Sequence, residues 1–289
     1  MFSQLEALLA LVQQGTMSAA ALSLRISQSA VSKRIGQLEQ QLGKVLVRRQ
    51  GRRAVLTADG EALVAEVAPL MADLKTALSQ RQSAAREQIA IAVSEAILSS
   101  WGAPLLVQLR DAMPNADLIV HTHRSPTIVD RVLAGTYPFG LCAGELPNHT
   151  GLMVEKLIDE PLMLVARDGD RAALEAERAC QKTLPVICIE EKSHTWRGIE
   201  ERARSLGLEP KWPVESSLAA TRLALSGWGH ALAPRGIARL LADNSACIDL
   251  GNAGLSRPAY LICRKQVYHQ TNGQQLRQAL ARLMPTLGA

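Results

Sequence analysis

The strongest constraint on how this chain can fold is a short basic stretch laid over helical periodicity. Between Arg25 and Arg53 stand eight basic residues (Arg25, Lys33, Arg34, Lys44, Arg48, Arg49, Arg52 and Arg53) and one acid, Glu39. That segment carries +7, and since the chain's net charge is +5, everything else sums to −2. Within it Val31, Ile35, Leu38 and Leu42 share one face of a helix that Ser27 can cap and Gly43 can stop. Such a stripe needs a partner surface. Leu5, Leu8, Leu9 and Val12, spaced i, i+3, i+4, i+7 and closed by Gly15, form one helix, and Ser18 can cap another through Ala19–Leu22. After Gly43, Val45-Leu46-Val47 and Ala54-Val55-Leu56 flank a basic turn at Gln50-Gly51, the pattern of a two-stranded wing. Helix, short helix, turn, basic helix and wing make a winged helix-turn-helix.

From Thr57 the period changes. Leu63, Val67, Leu70, Leu74 and Ala77 are spaced 4, 3, 4, 3, as in a coiled-coil seam, although a helix packed on its own domain would read similarly. Pro69 lies inside the seam and predicts a kink or local break. From Ile89 onward, strand-like and helix-like runs alternate. Ile89–Val93, Asp117–Thr122, Phe139–Cys142, Leu162–Ala166, Val186–Ile189, Trp212–Val214, Ala231–Ala233 and Ala259–Cys263 read as strands, with helical runs between them and a last helix near Thr271–Met284. The alternation predicts an α/β fold with a parallel sheet.

Composition narrows the function classes. A length of 289 residues with 47% apolar residues supports about two domains with full cores, and a charged fraction of 20% with mean hydropathy near zero excludes a disordered chain. With 3% aromatic residues, stacking platforms for RNA or single strands are not expected. The most apolar candidate span, 89–109, carries Glu95, Gln108, three serines and a proline, and the N-terminus lacks the basic region of a signal peptide. A cytoplasmic protein without a membrane partner is the expectation. The five cysteines, Cys142, Cys180, Cys188, Cys247 and Cys263, are odd in number and form no CxxC, which argues against disulfides and structural zinc. His121 and His123 lie two apart on one strand without nearby Cys or acidic ligands, so no metal is expected there. Gly227-Trp-Gly229 lacks the third glycine of a dinucleotide site, and no GxSxG, P-loop or HExxH occurs, so neither enzyme activity nor a cofactor is expected.

The run Ser18-Ala-Ala-Ala-Leu-Ser-Leu-Arg-Ile-Ser-Gln-Ser-Ala-Val-Ser-Lys-Arg-Ile-Gly-Gln-Leu-Glu-Gln-Gln-Leu-Gly43 closely resembles the DNA-binding signature of LysR-type transcriptional regulators. Arg48-Arg49 and Leu56-Thr-Ala-Asp-Gly60 resemble that family's wing and the start of its linker helix. Ser94-Glu-Ala96, Ser125-Pro-Thr127 and Ala224-Leu-Ser-Gly-Trp-Gly-His-Ala-Leu-Ala-Pro234 extend the resemblance over essentially the whole chain. Val47, where members often carry Phe, and Pro69 depart from the pattern. The resemblance implies a winged helix-turn-helix at 1–58, a linker helix at 59–86 and an effector domain at 87–289. That domain would comprise two α/β subdomains, 87–143 with 254–289, and 144–253, with a cleft between them as in periplasmic solute-binding proteins.

By residue chemistry, a capped helix of small polar residues followed by Lys33 and Arg34 suits a major groove. The resemblance makes Gln28, Ser29, Ser32 and Lys33 groove contacts and places Ser27 at a phosphate. Arg34 belongs to the same surface, and Arg52 and Arg53 would reach backbone or minor groove from the wing. Ordinary capping explains each serine equally well. In the effector domain, Ser94, Glu95 and Ala96 follow a strand, Ser125 opens a helix, and His194, Thr195 and Trp196 precede another, placements where α/β clefts bind anions. These residues are the expected contacts of a small, anionic effector. The implied partners are double-stranded promoter DNA, RNA polymerase and further copies of the chain, as a dimer of dimers. A disulfide between Cys180 and Cys188, as in peroxide-sensing members, is not expected, because the first redox cysteine would fall near His194-Thr195. An enzyme on the α/β subdomains and a pure solute-binding protein are the competing readings; the +7 segment opposes the second.

Overall fold

A computed structural model describes residues 1–50, 53–79, 87–146, 151–180, 183–189 and 193–287. The chain divides into two units, Met1–Gln82 and Ser83–Ala289.

In the first unit, α1 (Phe2–Gln14) ends at Gly15 in the left-handed conformation, φ 73°. α2 (Met17–Leu24) is capped by Thr16 rather than Ser18: the Thr16 hydroxyl accepts the Ala19 N–H at 3.2 Å. α3 (Gln28–Leu42) starts at Ser27, whose Oγ accepts the Ala30 N–H at 3.1 Å, and stops at Gly43. Three members of the stripe predicted for α3, Val31, Ile35 and Leu38, are buried against Ala7, Leu8, Leu11, Ala20 and Leu46, whereas the fourth, Leu42 at the helix end, is 40% exposed. β1 (Val47–Gln50) pairs antiparallel with β2 (Arg53–Leu56) to form the wing. β1 begins two residues later than the Val45–Val47 run implies, and the physical reason is local. One Glu39 carboxylate oxygen accepts the N–H groups of Leu46 and Val47 at 2.8 and 3.0 Å, and the Thr57 hydroxyl and N–H donate to the carbonyls of Val45 and Leu46.

α4 (Ala58–Ser79) continues through Pro69, so the local break expected there does not occur. Its first turn lies against β1's approach: a Cβ on Gly60 would stand 2.2 Å from the Leu46 carbonyl oxygen. The seam expected along α4 divides. Leu63 joins the core of its own unit, whereas Leu70 and Leu74 are 61 and 44% exposed, and Leu78, outside the expected seam, is 55% exposed beside them.

The second unit contains β3 (Glu87–Ser94), the short α5 (Glu95–Ile97), a π turn (Leu98–Gly102), α6 (Ala103–Ala112), β4 (Ala116–His123), α7 (Ser125–Leu133), β5 (Phe139–Ala143) and β6 (Leu152–Val165). Next come α8 (Arg171–Cys180), β7 (Leu184–Ile189), α9 (His194–Ser205), β8 (Leu208–Val214), α10 (Ser217–Leu225), β9 (His230–Pro234) and α11 (Arg235–Leu241). β10 (Cys247–Asp249), β11 (Ser256–Arg264), α12 (Lys265–Tyr268) and α13 (Thr271–Leu287) complete it. The strands join in the order β4-β3-β5-β11-β6-β9-β7-β8, with β10 beside β6.

The sheet is mixed, which corrects the parallel expectation. β3 is parallel to β4 and β5, and β7 to β8 and β9, but β11 is antiparallel to β5 and β6, and β6 to β9 and β10. β6 explains the mixture, because it is one long strand shared by both halves. Its Leu152–Pro161 stretch pairs with β11, and Leu162–Val165 pairs with β9.

Strand periodicity assigns the two faces. Ile89, Ile91 and Val93 of β3 meet α6 and α13 through Leu105, Leu109, Leu276 and Leu280, while Ala92 meets α7 through Ile128, Val129 and Val132. In the other half Leu162 and Leu164 pack on α8 and α9 at Leu174, Trp196 and Ile199, whereas Met163 and Val165 pack on α10 and α11 at Ala220, Ala224 and Ala238. Helices on both faces of each half bury the sheet and leave its strand ends open.

Candidate functional site

Two surfaces combine accessible polar chemistry with rigid support. The first is the face of α3 opposite its buried stripe. Ser27, Gln28, Ser29, Ser32 and Lys33 are exposed and Arg34 is half-buried. The apolar contacts of Val31, Ile35 and Leu38 fix the helix rotation, so these polar side chains all point outward. The Ser27 and Ser29 hydroxyls lie 2.9 Å apart, and Ser18 donates to the Gln28 side-chain oxygen at 3.5 Å. Ser27 both caps α3 and sits at a helix N-terminus, where N–H groups favour a phosphate. Lys44, a member of the basic segment, instead pairs with Asp59 in α4, which raises its pKa through the hydrogen bond and the opposite charge. Arg53 is in β2, and Arg52 lies outside the described residues.

The second surface is a cleft at the carboxyl ends of β3, β5 and β7. Its wall is built from helix starts: Ser125 and Pro126 of α7, Ser193 and Thr195 at α9, and Ser216 and Ser217 at α10. Each start has first-turn N–H groups without an intrahelical acceptor. Ser193 and Ser216 cap their own helices by accepting the N–H groups of Trp196 and Ala219. The Ser125 Oγ accepts the Ala143 N–H at 3.1 Å, which ties α7 to the end of β5. Ser94 and Ser217 are only 6 and 8% exposed, both line the cleft, and among the described residues neither side chain has a hydrogen-bond partner.

Charges of both signs line the same cleft. Arg124 pairs with Glu215 at 3.1 Å, and the Ser216 hydroxyl donates to Glu95 at 3.1 Å; both links join one half of the sheet to the other. Arg257 forms the floor. It is 3% exposed, and its Nε and Nη2 donate to one carboxylate oxygen of Glu160 at 3.0 and 2.6 Å, while the other oxygen accepts the Gly236 N–H. A buried pair with this many bonds keeps the guanidinium in place without leaving it uncompensated.

Of the residues expected at an effector, Ser94, Glu95, Ala96, Ser125 and Thr195 line the cleft together. Trp196 does not. Its side chain is fully buried in the core with Ile199 and Ala203, and its backbone N–H donates to the Ser193 hydroxyl. The i, i+3, i+7 spacing of Trp196, Ile199 and Ala203 already carried that signal. His194 begins α9, and its side chain is outside the described ones. Arg124, Glu215, Ser216, Ser217 and Arg257 were missed. The Glu215-Ser216-Ser217 run before an apolar segment is a capping signal that could have drawn attention to the third wall; the arginines carried none.

A family model described as the bacterial regulatory helix-turn-helix protein, lysR family, matches residues 2–61, and one described as the LysR substrate binding domain matches residues 82–285. The chain belongs to the LysR family of transcriptional regulators. This LysR-type regulator is 32% identical over 284 residues to an uncharacterized HTH-type transcriptional regulator of Vibrio cholerae, covering 97% of this chain and 96% of that one. Its fold is that of ArgP from Mycobacterium tuberculosis, with a TM-score of 0.69, 22% identity and coverage of 97% and 96%. It is likewise that of full-length CbnR, crystallised with its target DNA, with a TM-score of 0.65, 21% identity and coverage of 98% and 99%. The named relatives are regulators, not enzymes. Among the described residues, no helix is long and apolar enough to cross a membrane, and no group of three or more His, Cys, Asp or Glu could hold a metal ion.

Proposed function

We propose that this LysR-type regulator binds promoter DNA sequence-specifically and that a small effector in the cleft tunes its occupancy. The reading rests on one observation: Ser94 and Ser217, buried but without side-chain partners, face a cleft ringed by the starts of α7, α9 and α10. Two hydroxyls on one cavity that have no protein partner are free to bond a polar ligand entering it. At the other end of the chain, the exposed face of α3 supplies the groove contacts. Gln28 offers a bidentate group for adenine, Ser29, Ser32 and Lys33 reach bases or phosphates, Ser27 takes a phosphate at the helix N-terminus, and Arg34 adds charge. Arg52 and Arg53 extend the contact through the wing.

Leu70, Leu74 and Leu78 along α4 would pair with the same helix of a second copy, so that two reading helices meet two half-sites, and two such dimers would form a tetramer. RNA polymerase is then a partner at the promoter, in the cytoplasm. A gel-shift titration of the full chain on its own upstream DNA tests the reading. Binding should be tight on that fragment, weak on random DNA, and steeply weaker with salt. Equal affinity for both DNAs refutes sequence-specific regulation.

A further inference from the structure

We propose that the cleft ligand is a small zwitterion, an α-amino acid or close analogue, with its carboxylate at the helix starts and its ammonium at Glu95. This rests on the reading of the cleft as the effector site and adds the ligand's charge pattern. The anion half follows from the donors. The starts of α7, α9 and α10 and the hydroxyls of Ser94, Thr195 and Ser217 all open onto one space.

The cation half follows from the charge balance. Both arginines in the wall are already matched, Arg257 by Glu160 and Arg124 by Glu215. Glu95 is different: its one oxygen accepts the Ser216 hydroxyl, and among the described residues no cation lies within ion-pair distance of it. A plain carboxylate would therefore enter beside an uncompensated negative charge and be repelled by it. A ligand that brings its own ammonium to Glu95 turns that repulsion into a charge-assisted bond.

The spacing favours the α-arrangement. Ser94 precedes Glu95 in the chain, and Ser217 follows the residue that Glu95 touches, so donors for the anion and the acceptor for the cation lie side by side. An α-amino acid presents its two charges one carbon apart. Ala96, Pro126, Ala143 and Ile189 supply a small apolar wall for its side chain.

The test is a thermal-shift screen of the full chain against the twenty standard amino acids and their deaminated acids, with calorimetry on any hit. The expected result is an amino acid that binds at least about tenfold tighter than its deaminated acid, the worth of one charged hydrogen bond. Glu95→Gln keeps an acceptor for Ser216 but removes the charge, and should erase most of that ratio; Ser217→Ala should weaken both compounds alike. The wild-type ratio alone decides the matter if a variant does not fold. If no amino acid binds, or the deaminated acid binds as tightly, or Glu95→Gln leaves the ratio unchanged, the zwitterion is refuted. The cleft reading survives those results if Ser217→Ala weakens whichever acid binds. A hit indifferent to Ser94→Ala, Ser217→Ala and Glu95→Gln refutes both.

Discussion

Glu39→Ala sets charge against architecture. Glu39 is the sole acid in the +7 segment, so charge counting says that its removal, giving +8, should strengthen DNA binding. The structure predicts the reverse. The Glu39 carboxylate holds the backbone N–H groups of Leu46 and Val47, one residue fully buried and the other the start of β1. A hydrogen bond to a charged partner contributes about 1.5–3 kcal/mol. Glu39 is half-buried, so water replaces part of each bond, and a cost of about 2–3 kcal/mol for the pair is the expected total. In a domain of this size each kcal/mol lowers the melting midpoint by roughly 4–8 °C, so the first unit should lose about 8–24 °C. Glu39→Gln keeps an acceptor and should cost about 1 kcal/mol. Calorimetry of the full chain, with anisotropy titrations on upstream DNA at two salt concentrations, measures both effects. Glu39→Ala should melt early and bind DNA more weakly because β1 and the wing lose their anchor. An unchanged first-unit transition together with tighter binding would refute the reasoning.

Other consequences are equally direct. In gel shifts, Lys33→Ala should weaken binding to every DNA and reduce the salt slope by about one, whereas Gln28→Ala should cost about 1–3 kcal/mol at the specific site and little on random DNA. Replacing both Leu70 and Leu74 with Lys puts charge on the exposed stripe of α4, and sedimentation should show a smaller assembly with poor operator affinity. Glu160→Ala strands the Arg257 guanidinium inside the second unit and should cost about 3–5 kcal/mol in urea denaturation, while the double change of Glu160 and Arg257 to Met should cost less. Alkylation of the native protein near pH 8 should label Cys180, which is exposed. It should spare Cys142, whose pKa is driven well above the ordinary thiol range by burial, and Cys263, pushed up to about 11 mainly by burial. Mass spectrometry shows which thiols react.

The first unit was largely legible because its determinants are local. Ser27, the stripe on α3 and Gly43 lie within seventeen residues, and caps and periodicity act over that range. The second unit hid what depends on distant partners. The Leu152–Pro161 part of β6 is not among the strand-like runs of the sequence, and it is a strand because β11 pairs along it. α8 has a single buried apolar residue, Leu174, too little for a period to show. Strand direction leaves no trace in an apolar run, so the antiparallel members of the sheet were not visible. The cleft divided in the same way. Ser94, Ser125 and Thr195 were readable as helix starts after strands, but Arg257 enters the wall only because Glu160, ninety-seven positions earlier, holds it there.

The place of β11 in the sheet sets an order on synthesis. The strand that sits between β5 and β6 is made after β3 to β10, and α13, which covers the first half through Leu276, Leu280 and Met284, follows it. While the chain is emerging from the ribosome, β5 and the early part of β6 have no neighbour to bridge them, and Ile91, Val93, Phe139 and Leu141 lack part of their cover. The middle of the chain, from β7 to β10, can meanwhile assemble against the end of β6. A chain cut within β11 would therefore leave the oldest part of the second unit more damaged than the β7 to β10 part made after it, and such products should be the ones that proteases and chaperones seize.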